Sequence, residues 1–311
     1  MTKKTKPTFR HLIEMGMLDK QAIGYLFQNA EHFLTSSLEK DALQKTLSGK
    51  VVTNLFFEPS TRSRHSFLIA AKRLGAIVIN PDMSTLATAK GESLIDTIRT
   101  FEAMGTSLFV IRHSDNNTAD FIAAELSSNA SVINAGDGDN QHPTQGLLDL
   151  FTIHRHKPNF PELKVTIIGD ILHSRVARSL IEGLHIMDAQ TIRLVAPTAL
   201  VPNDVDQLGV QVFHTMKDGL QDADVVVALR IQKERMQDAS IPDPNKFYQQ
   251  FGLTSESLAY AKPDAIVMHP GPINRSVEID SSVADGPQSV ILEQVRNGVA
   301  MRMAIMDCLL T

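Results

Sequence analysis

The chain has one cysteine, no tryptophan and three tyrosines among its 311 residues. A lone Cys308 cannot close an internal disulfide, so no covalent staple holds the fold and a reducing, cytoplasmic setting is expected. The thiol lies in the apolar run VAMRMAIMDCLL and reads as a core residue. No stretch approaches the roughly 18 apolar residues of a membrane span. The first residues, MTKKTKPTFRHLIEMGML, are basic but interrupted by polar side chains, and they lack the apolar centre of a signal peptide. Positive charge is also in deficit: 30 Lys and Arg against 35 Asp and Glu leave a net charge of −5. Such a chain has no general attraction for nucleic acid or for an anionic membrane. Any anion site must therefore be built locally.

What is present is a patterned core. Hydrophobic residues make up 43% of the chain, and the length suits roughly two domains. Short β-branched runs alternate with amphipathic stretches. KVVTNLFF, AIVIN, SLFVI and SVINAG read as strands of a first set; KVTIIGD, TIRLVAP, VQVFH, ADVVVALR and DAIVMHP read as a second. Between them, RSRHSFLIAAKRLG sets Phe67, Ala71 and Leu74 on one helical face, and LIDTIRTFEAMG does the same with Leu94, Ile98, Phe101 and Met104. Near-continuous Val/Ile runs suit strands buried on both faces of a parallel sheet. The expected fold is α/β: two tandem domains, each a mostly parallel sheet flanked by helices, with a C-terminal helix over 287–311 packing back on the first. Residues 1–143 are expected to form the first domain and 144–286 the second, hinged near residues 143–162, with the proline-bearing stretch HKPNFPELK at the junction.

Seven stretches carry chemistry. In FFEPSTRSRHSF, Glu58-Pro59 makes a turn and Ser60 or Thr61 can cap the next helix. A helix N-terminus offers free N–H groups, and Ser60, Thr61, Arg62 and Ser63 added there make a phosphate cradle. Arg64 reads as a structural or interface charge. Lys90 lies in the loop LATAKGES, and Arg112 ends the strand VIRHS, where it either faces a ligand or pairs with a carboxylate. In NAGDGDNQHPTQG, His142 can donate to a carbonyl oxygen and Gln145 can bind an amide or carbamoyl group. The acidic residues of that run lack the spacing of a calcium loop, so no metal is expected. KVTIIGDILHSRVARSL lacks G-x-G-x-x-G, which argues against a dinucleotide, but Arg175 can bind an anion. Arg230 and Gln232 follow the buried strand VVVAL directly. HPGP, with Pro270, Gly271 and Pro272, makes a rigid turn with carbonyl oxygens to offer a ligand amine, and a cis bond is expected at one of its prolines. No Ser-His-Asp set, reactive cysteine or metal cluster accompanies these residues, so positioning and electrostatics must carry any reaction. No cofactor is called for.

FFEPSTRSRHSF, KGES, HPTQGLLDL, LRIQKER and HPGPINR, in this order over 56–275, resemble the catalytic chains of the aspartate carbamoyltransferase family. S-T-R-S-R and H-P-T-Q are similar in the ornithine enzymes; KGES and HPGPINR are not. The resemblance implies transfer of a carbamoyl group from carbamoyl phosphate to L-aspartate, giving N-carbamoyl-L-aspartate and phosphate in pyrimidine biosynthesis. It implies that Ser60, Thr61, Arg62 and Ser63 hold phosphate and that Thr61, Arg62, Arg112 and His142 polarise the carbonyl. Gln145 and the Pro270–Pro272 turn would bind the carbamoyl nitrogen, and Arg175, Arg230 and Gln232 the aspartate carboxylates. Lys90 would enter a neighbouring subunit's site, making a homotrimer the active unit. The same resemblance leaves room for a regulatory or dihydroorotase-like partner chain. The competing readings are a carbamoyltransferase for another acceptor, such as ornithine, and a non-catalytic anion-binding subunit.

Overall fold

The computed structural model describes residues 6–38, 43–82, 91–127, 129–232 and 243–311. The chain forms two compact units, Met1–Leu148 with Arg296–Thr311, and Asp149–Val295.

The first unit holds strands β1 (Val51–Phe56), β2 (Ile77–Ile79), β3 (Leu108–His113) and β4 (Ser131–Asp137), all parallel, in the order β2-β1-β3-β4. The second holds β5 (Lys164–Ile168), β6 (Thr191–Val195), β7 (Gln211–Phe213), β8 (Val225–Ala228) and β9 (Ile266–Met268), also parallel, in the order β7-β6-β5-β8-β9. The helices are α1 (Lys20–Phe33), α2 (Thr61–Arg73), α3 (Leu94–Ala103), α4 (Thr118–Glu125), α5 (Pro143–His156), α6 (Arg175–Ile186), α7 (Met216–Leu220), α8 (Pro244–Phe251), α9 (Ser255–Leu258), α10 (Ser281–Ala284) and α11 (Ile291–Leu310). The chain crosses from one unit to the other inside α5 and returns inside α11. This is the expected α/β architecture.

Burial follows strand position. β4 and β9 end their sheets yet are buried along their whole length, whereas β2 and β7 are exposed at one end. In both buried cases another segment covers the open edge. Leu12 N–H donates to Val132 O at 2.8 Å and Asn134 N–H to Leu12 O at 2.9 Å, so the amino-terminal segment caps β4. Along β9, Val267 N–H donates to Gln288 O at 2.8 Å and Val290 N–H to Val267 O at 2.9 Å. Covering an edge removes a row of unpaired backbone groups that would template aggregation. That pairing also explains why the last helix starts at Ile291 and not at 287, as expected from the sequence: residues 288–290 are held extended beside β9.

Phe67, Ala71 and Leu74 are all fully buried, as their spacing predicts. The α3 face is less complete: Ile98 is buried, but Met104 is 63% exposed because the helix ends at Ala103 and the chain turns away there. Within the first unit α11 packs on α2. The Arg302 guanidinium stacks 4.7 Å from the Phe67 ring centroid and donates through Nη1 to Ser66 Oγ at 2.7 Å. Phe67 and Ser66 lie just past the first turn of α2, so this contact steadies the helix whose N-terminus carries the S-T-R-S sequence. Among the described residues no helix is long and apolar enough to cross a membrane.

Cys308 lies on the same helix, 4% exposed, and burial pushes its thiol up to about 11. A thiol reacts as thiolate. The native chain is therefore expected to resist a disulfide reagent at pH 8 and to release one equivalent of thiol only on unfolding, as followed by absorbance. A fast stoichiometric reaction of the folded chain would contradict this packing.

Candidate functional site

Parallel strands send all their carboxyl ends to one edge of a sheet, and ligands of open α/β sheets bind there. In the first unit β1, β3 and β4 are adjacent, and the residues of interest follow their ends. Ser60 occupies the N-cap of α2 in extended conformation, but its hydroxyl makes no capping bond. The backbone N–H groups of that first turn, the positive end of the helix dipole and the Ser60, Thr61 and Ser63 hydroxyls lie close together along the chain. Arg62 is partly buried there, and burial alone lowers its pKa from the ordinary value. Among the described residues it has no hydrogen-bond or ion-pair partner. A desolvated guanidinium without a counter-charge is costly unless an anion completes it.

Its neighbour Arg64 differs. Its guanidinium donates from Nε to Asn80 Oδ1 at 3.1 Å and from Nη2 to Pro81 O at 3.0 Å, tying α2 to the end of β2. That is the structural role expected of it. Arg112 stands opposite Phe56 in the β1–β3 register. Its Nε lies 3.2 Å from Glu58 Oε2 and its Nη1 donates to Ala135 O at 3.2 Å. The carboxylate pair considered for Arg112 is present and ties β3 to the S-T-R-S turn and to β4; a guanidinium has five N–H donors, so this pair does not by itself exclude a ligand role.

Beyond β4 the chain doubles back, with Asp137 N–H donating to Gln141 O at 3.1 Å. This returns His142 to the strand end, where His142, Thr144 and Gln145 are all buried at the start of α5. The loop is organised by Asp137. Its Oδ1 accepts from Asn134 Nδ2 (2.8 Å) and Gln141 N–H (3.1 Å), and its Oδ2 from Asn117 N–H (2.7 Å). Gly138 has φ +44°, a left-handed conformation that favours glycine, and a Cβ there would fall 1.7 Å from Asn116 Oδ1, so the Asn116 side chain would have to move. The acidic run is thus structural at Asp137, a role that spacing alone did not reveal.

In the second unit β5, β8 and β9 are adjacent. Gly169 turns the chain out of β5 with φ +121°, where a Cβ would meet Leu229 O at 2.4 Å. Asp170 follows, fully buried. Its Oδ1 accepts from His173 N–H at 3.2 Å and lies 2.8 Å from His173 Nδ1. Its Oδ2 accepts from Gln232 N–H at 3.0 Å, which binds the β5 loop to the β8 loop. Arg175 is the first residue of α6, buried, with Ser174 capping the helix through Ala177 N–H. Arg230 is partly buried two residues past β8. The Gln232 side-chain amide donates to His173 O at 2.9 Å, so it is held by the protein itself. After β9 comes the His269–Pro272 turn, whose Gly271–Pro272 bond is cis. Arg175, Arg230, Gln232 and this turn thus share one sheet edge. Lys90 lies outside the described residues. Asp170 and His173 are organising residues that motif reading passes over, and Glu58, read from the sequence only as part of a turn, also pairs with Arg112; each is a polar residue after a strand, which is the available signal.

Known proteins resemble this chain along most of its length. Residues 10–155 match the model of the aspartate/ornithine carbamoyltransferase carbamoyl-P binding domain, and residues 161–309 match that of the Asp/Orn binding domain. The aspartate carbamoyltransferase catalytic subunits of Coxiella burnetii strains Dugway 5J108-111 and RSA 493 are 56% identical to it over 300 residues, 96% of each chain. Aspartate transcarbamoylase of Trypanosoma cruzi, solved with carbamoyl phosphate and aspartate, superposes with a TM-score of 0.88 at 30% identity over 97% of both chains. The same enzyme in complex with N-(phosphonacetyl)-L-aspartic acid gives 0.88 at 30% identity over 97% of this chain and 96% of that one. Two sheets whose strand ends gather arginines, hydroxyls and amides, and matches that span both units, have one explanation: the chain belongs to the aspartate/ornithine carbamoyltransferase family.

Proposed function

We propose that this chain is an aspartate carbamoyltransferase, moving the carbamoyl group of carbamoyl phosphate to the amino group of L-aspartate and releasing phosphate, in de novo pyrimidine biosynthesis. The observation that carries this reading is Arg62: a desolvated guanidinium at a helix N-terminus, beside three hydroxyls, without a partner among the described residues. A phosphate dianion satisfies that arrangement, with Ser60, Thr61, Arg62 and Ser63 as its ligands.

The chemistry then follows from placement. The aspartate amine attacks the carbonyl carbon, and negative charge develops on the carbonyl oxygen. Thr61, Arg62, Arg112 and His142 supply fixed donors to that oxygen, each worth on the order of 3 kcal/mol in the transition state. Gln145 and the carbonyls of the Pro270–Pro272 turn hold the carbamoyl NH₂. The C–O bond to phosphate breaks, and the departing phosphate takes the amine proton, so no protein base is required. Arg175, Arg230 and Gln232 bind the aspartate carboxylates. Two arginines suit a dicarboxylate better than a diamine such as ornithine. In our reading Lys90 serves a neighbouring subunit's site, the active unit is a homotrimer, and the enzyme is cytoplasmic.

Carbamoyl aspartate formed by the purified chain, measured colorimetrically, tests the reaction; no product from a well-folded chain overturns it. Steady-state kinetics test the division of roles. Arg62→Ala is expected to lower kcat by about 100-fold or more, while Arg64→Ala leaves it near wild type. Arg230→Ala is expected to raise the KM for aspartate by about tenfold and to spare that for carbamoyl phosphate. Equal loss for both substrates would count against the assignment. Mixing a Lys90→Ala chain with an Arg62→Ala chain should restore part of the activity in hybrid trimers, confirmed by mass. No recovery would place Lys90 in its own chain's site or outside the chemistry.

A further inference from the structure

Residues 269–279 fold back on themselves around two buried side chains. His269 and Glu278 are each 1% exposed. His269 Nδ1 accepts from Gly271 N–H at 2.8 Å, which requires that nitrogen to be unprotonated and leaves the ring proton on Nε2. Nε2 faces Glu278 Oε1 at 3.2 Å. The same Oε1 accepts from Asn274 N–H at 2.5 Å. Both ends of the Pro270–Pro272 turn are thus pinned: the leading side through His269 to Gly271, the trailing side through Glu278 to Asn274. The ring's own backbone is held in turn, with His269 N–H donating to Gln294 Oε1 at 3.1 Å and Gln294 Nε2 donating to Asp149 Oδ1 at 2.5 Å. Glu278 reaches this point because the chain reverses over 274–277, where Val277 N–H donates to Asn274 O at 3.2 Å and Ser276 sits at φ +60°.

Backbone carbonyls recognise an NH₂ group only if they are aimed before it arrives, because a turn that must be ordered on binding offsets what its hydrogen bonds contribute. We infer that Glu278, acting through His269, is a positioning residue that aims the Pro270 and Gly271 carbonyls at the carbamoyl nitrogen of the substrate. This role rests on the carbamoyl phosphate reading. It does not depend on the acceptor. Both of these contacts converge on Oε1, whereas Oε2 is buried and has no hydrogen-bond partner among the described residues. One oxygen at the right reach is therefore what the turn needs, and the second oxygen is dispensable.

The test compares two ligands on the full chain by titration calorimetry. Phosphonoacetamide keeps the phosphate-like group and the amide NH₂ in a stable compound; inorganic phosphate lacks the NH₂. Glu278→Ala should weaken phosphonoacetamide by about tenfold, the scale of a lost hydrogen bond at a buried group, and leave inorganic phosphate within about twofold of wild type. Glu278→Asp, whose carboxylate is one methylene short, should behave like Ala, and it serves alone if Glu278→Ala does not fold. Glu278→Gln keeps one oxygen at full reach and should restore most of the phosphonoacetamide affinity. A folded Glu278→Asp chain with unchanged phosphonoacetamide affinity overturns the role. So does an equal loss for both ligands, the mark of a general structural defect, and so does a wild-type chain that does not prefer phosphonoacetamide to phosphate. A wild-type chain that shows this preference but forms no carbamoyl aspartate overturns the proposed reaction and not the role of Glu278.

Discussion

The parallel pairing of β1 with β3, which sets Phe56 opposite Arg112, is the constraint on which the first half of the site depends. Parallel strands must be joined by crossovers, and each crossover returns the chain to the same end of the sheet. The loops that leave β1, β3 and β4 therefore emerge side by side although they are distant in sequence. The Arg112–Glu58 pair is a direct consequence: two residues 54 positions apart meet because their strands are neighbours. The second unit repeats the logic with β5, β8 and β9, and there Asp170 stitches the β5 loop to the β8 loop.

An acidic chain that holds anions has to keep its own carboxylates from neutralising the site. It does so by occupying them with backbone. Asp137 accepts from the N–H groups of Asn117 and Gln141, Asp170 from those of His173 and Gln232, and Glu278 from that of Asn274. Hydrogen bonds to charged groups contribute about 1.5–3 kcal/mol each, so these acids stabilise their loops locally and leave Arg62 without a protein counter-ion among the described residues. Arg112 is the contrast, because Glu58 screens it. Arg62 and Arg112 thus carry different amounts of unspent charge, and Arg62 carries more.

Much of this is legible in the sequence. The Val/Ile runs identified parallel strands because burial on both faces leaves no room for alternation. The S-T-R-S turn was legible because strand, proline turn and capping residues lie together in one short window. The rest depended on contacts remote in sequence. The start of α11 was misjudged because residues 288–290 pair with β9, some twenty residues earlier. Met104 continued the α3 period on paper but lies past the helix end. Asp170 and Glu278 give no sequence signal, and Asp137 is read only as part of an acidic run unlike a calcium loop, since an acidic side chain that accepts backbone N–H groups looks, in sequence, like any solvated acid. Arg112 shows the limit best: whether it met a carboxylate turned on Glu58, whose proximity only the sheet register could supply.

The choice of arginine at position 62 follows from the same electrostatics. A group held in a partly desolvated turn has its charged form disfavoured, and burial does lower the Arg62 pKa. A lysine starts near 10.4 and can be driven toward neutrality by such a site, whereas a guanidinium starts far higher and stays charged throughout the physiological range. Arginine is also less strongly hydrated than an ammonium, so less solvation is lost when the turn shields it. The fold can therefore keep a full positive charge partly out of water, where each interaction with an arriving phosphate is stronger than in bulk solvent. In the proposed reaction its planar fork would address two oxygens at once, one on phosphate and one on the carbonyl, which a point charge cannot do with the same geometry. The helix dipole and the hydroxyls of Ser60, Thr61 and Ser63 add direction to a charge that α11 steadies from behind, through Arg302, Ser66 and Phe67.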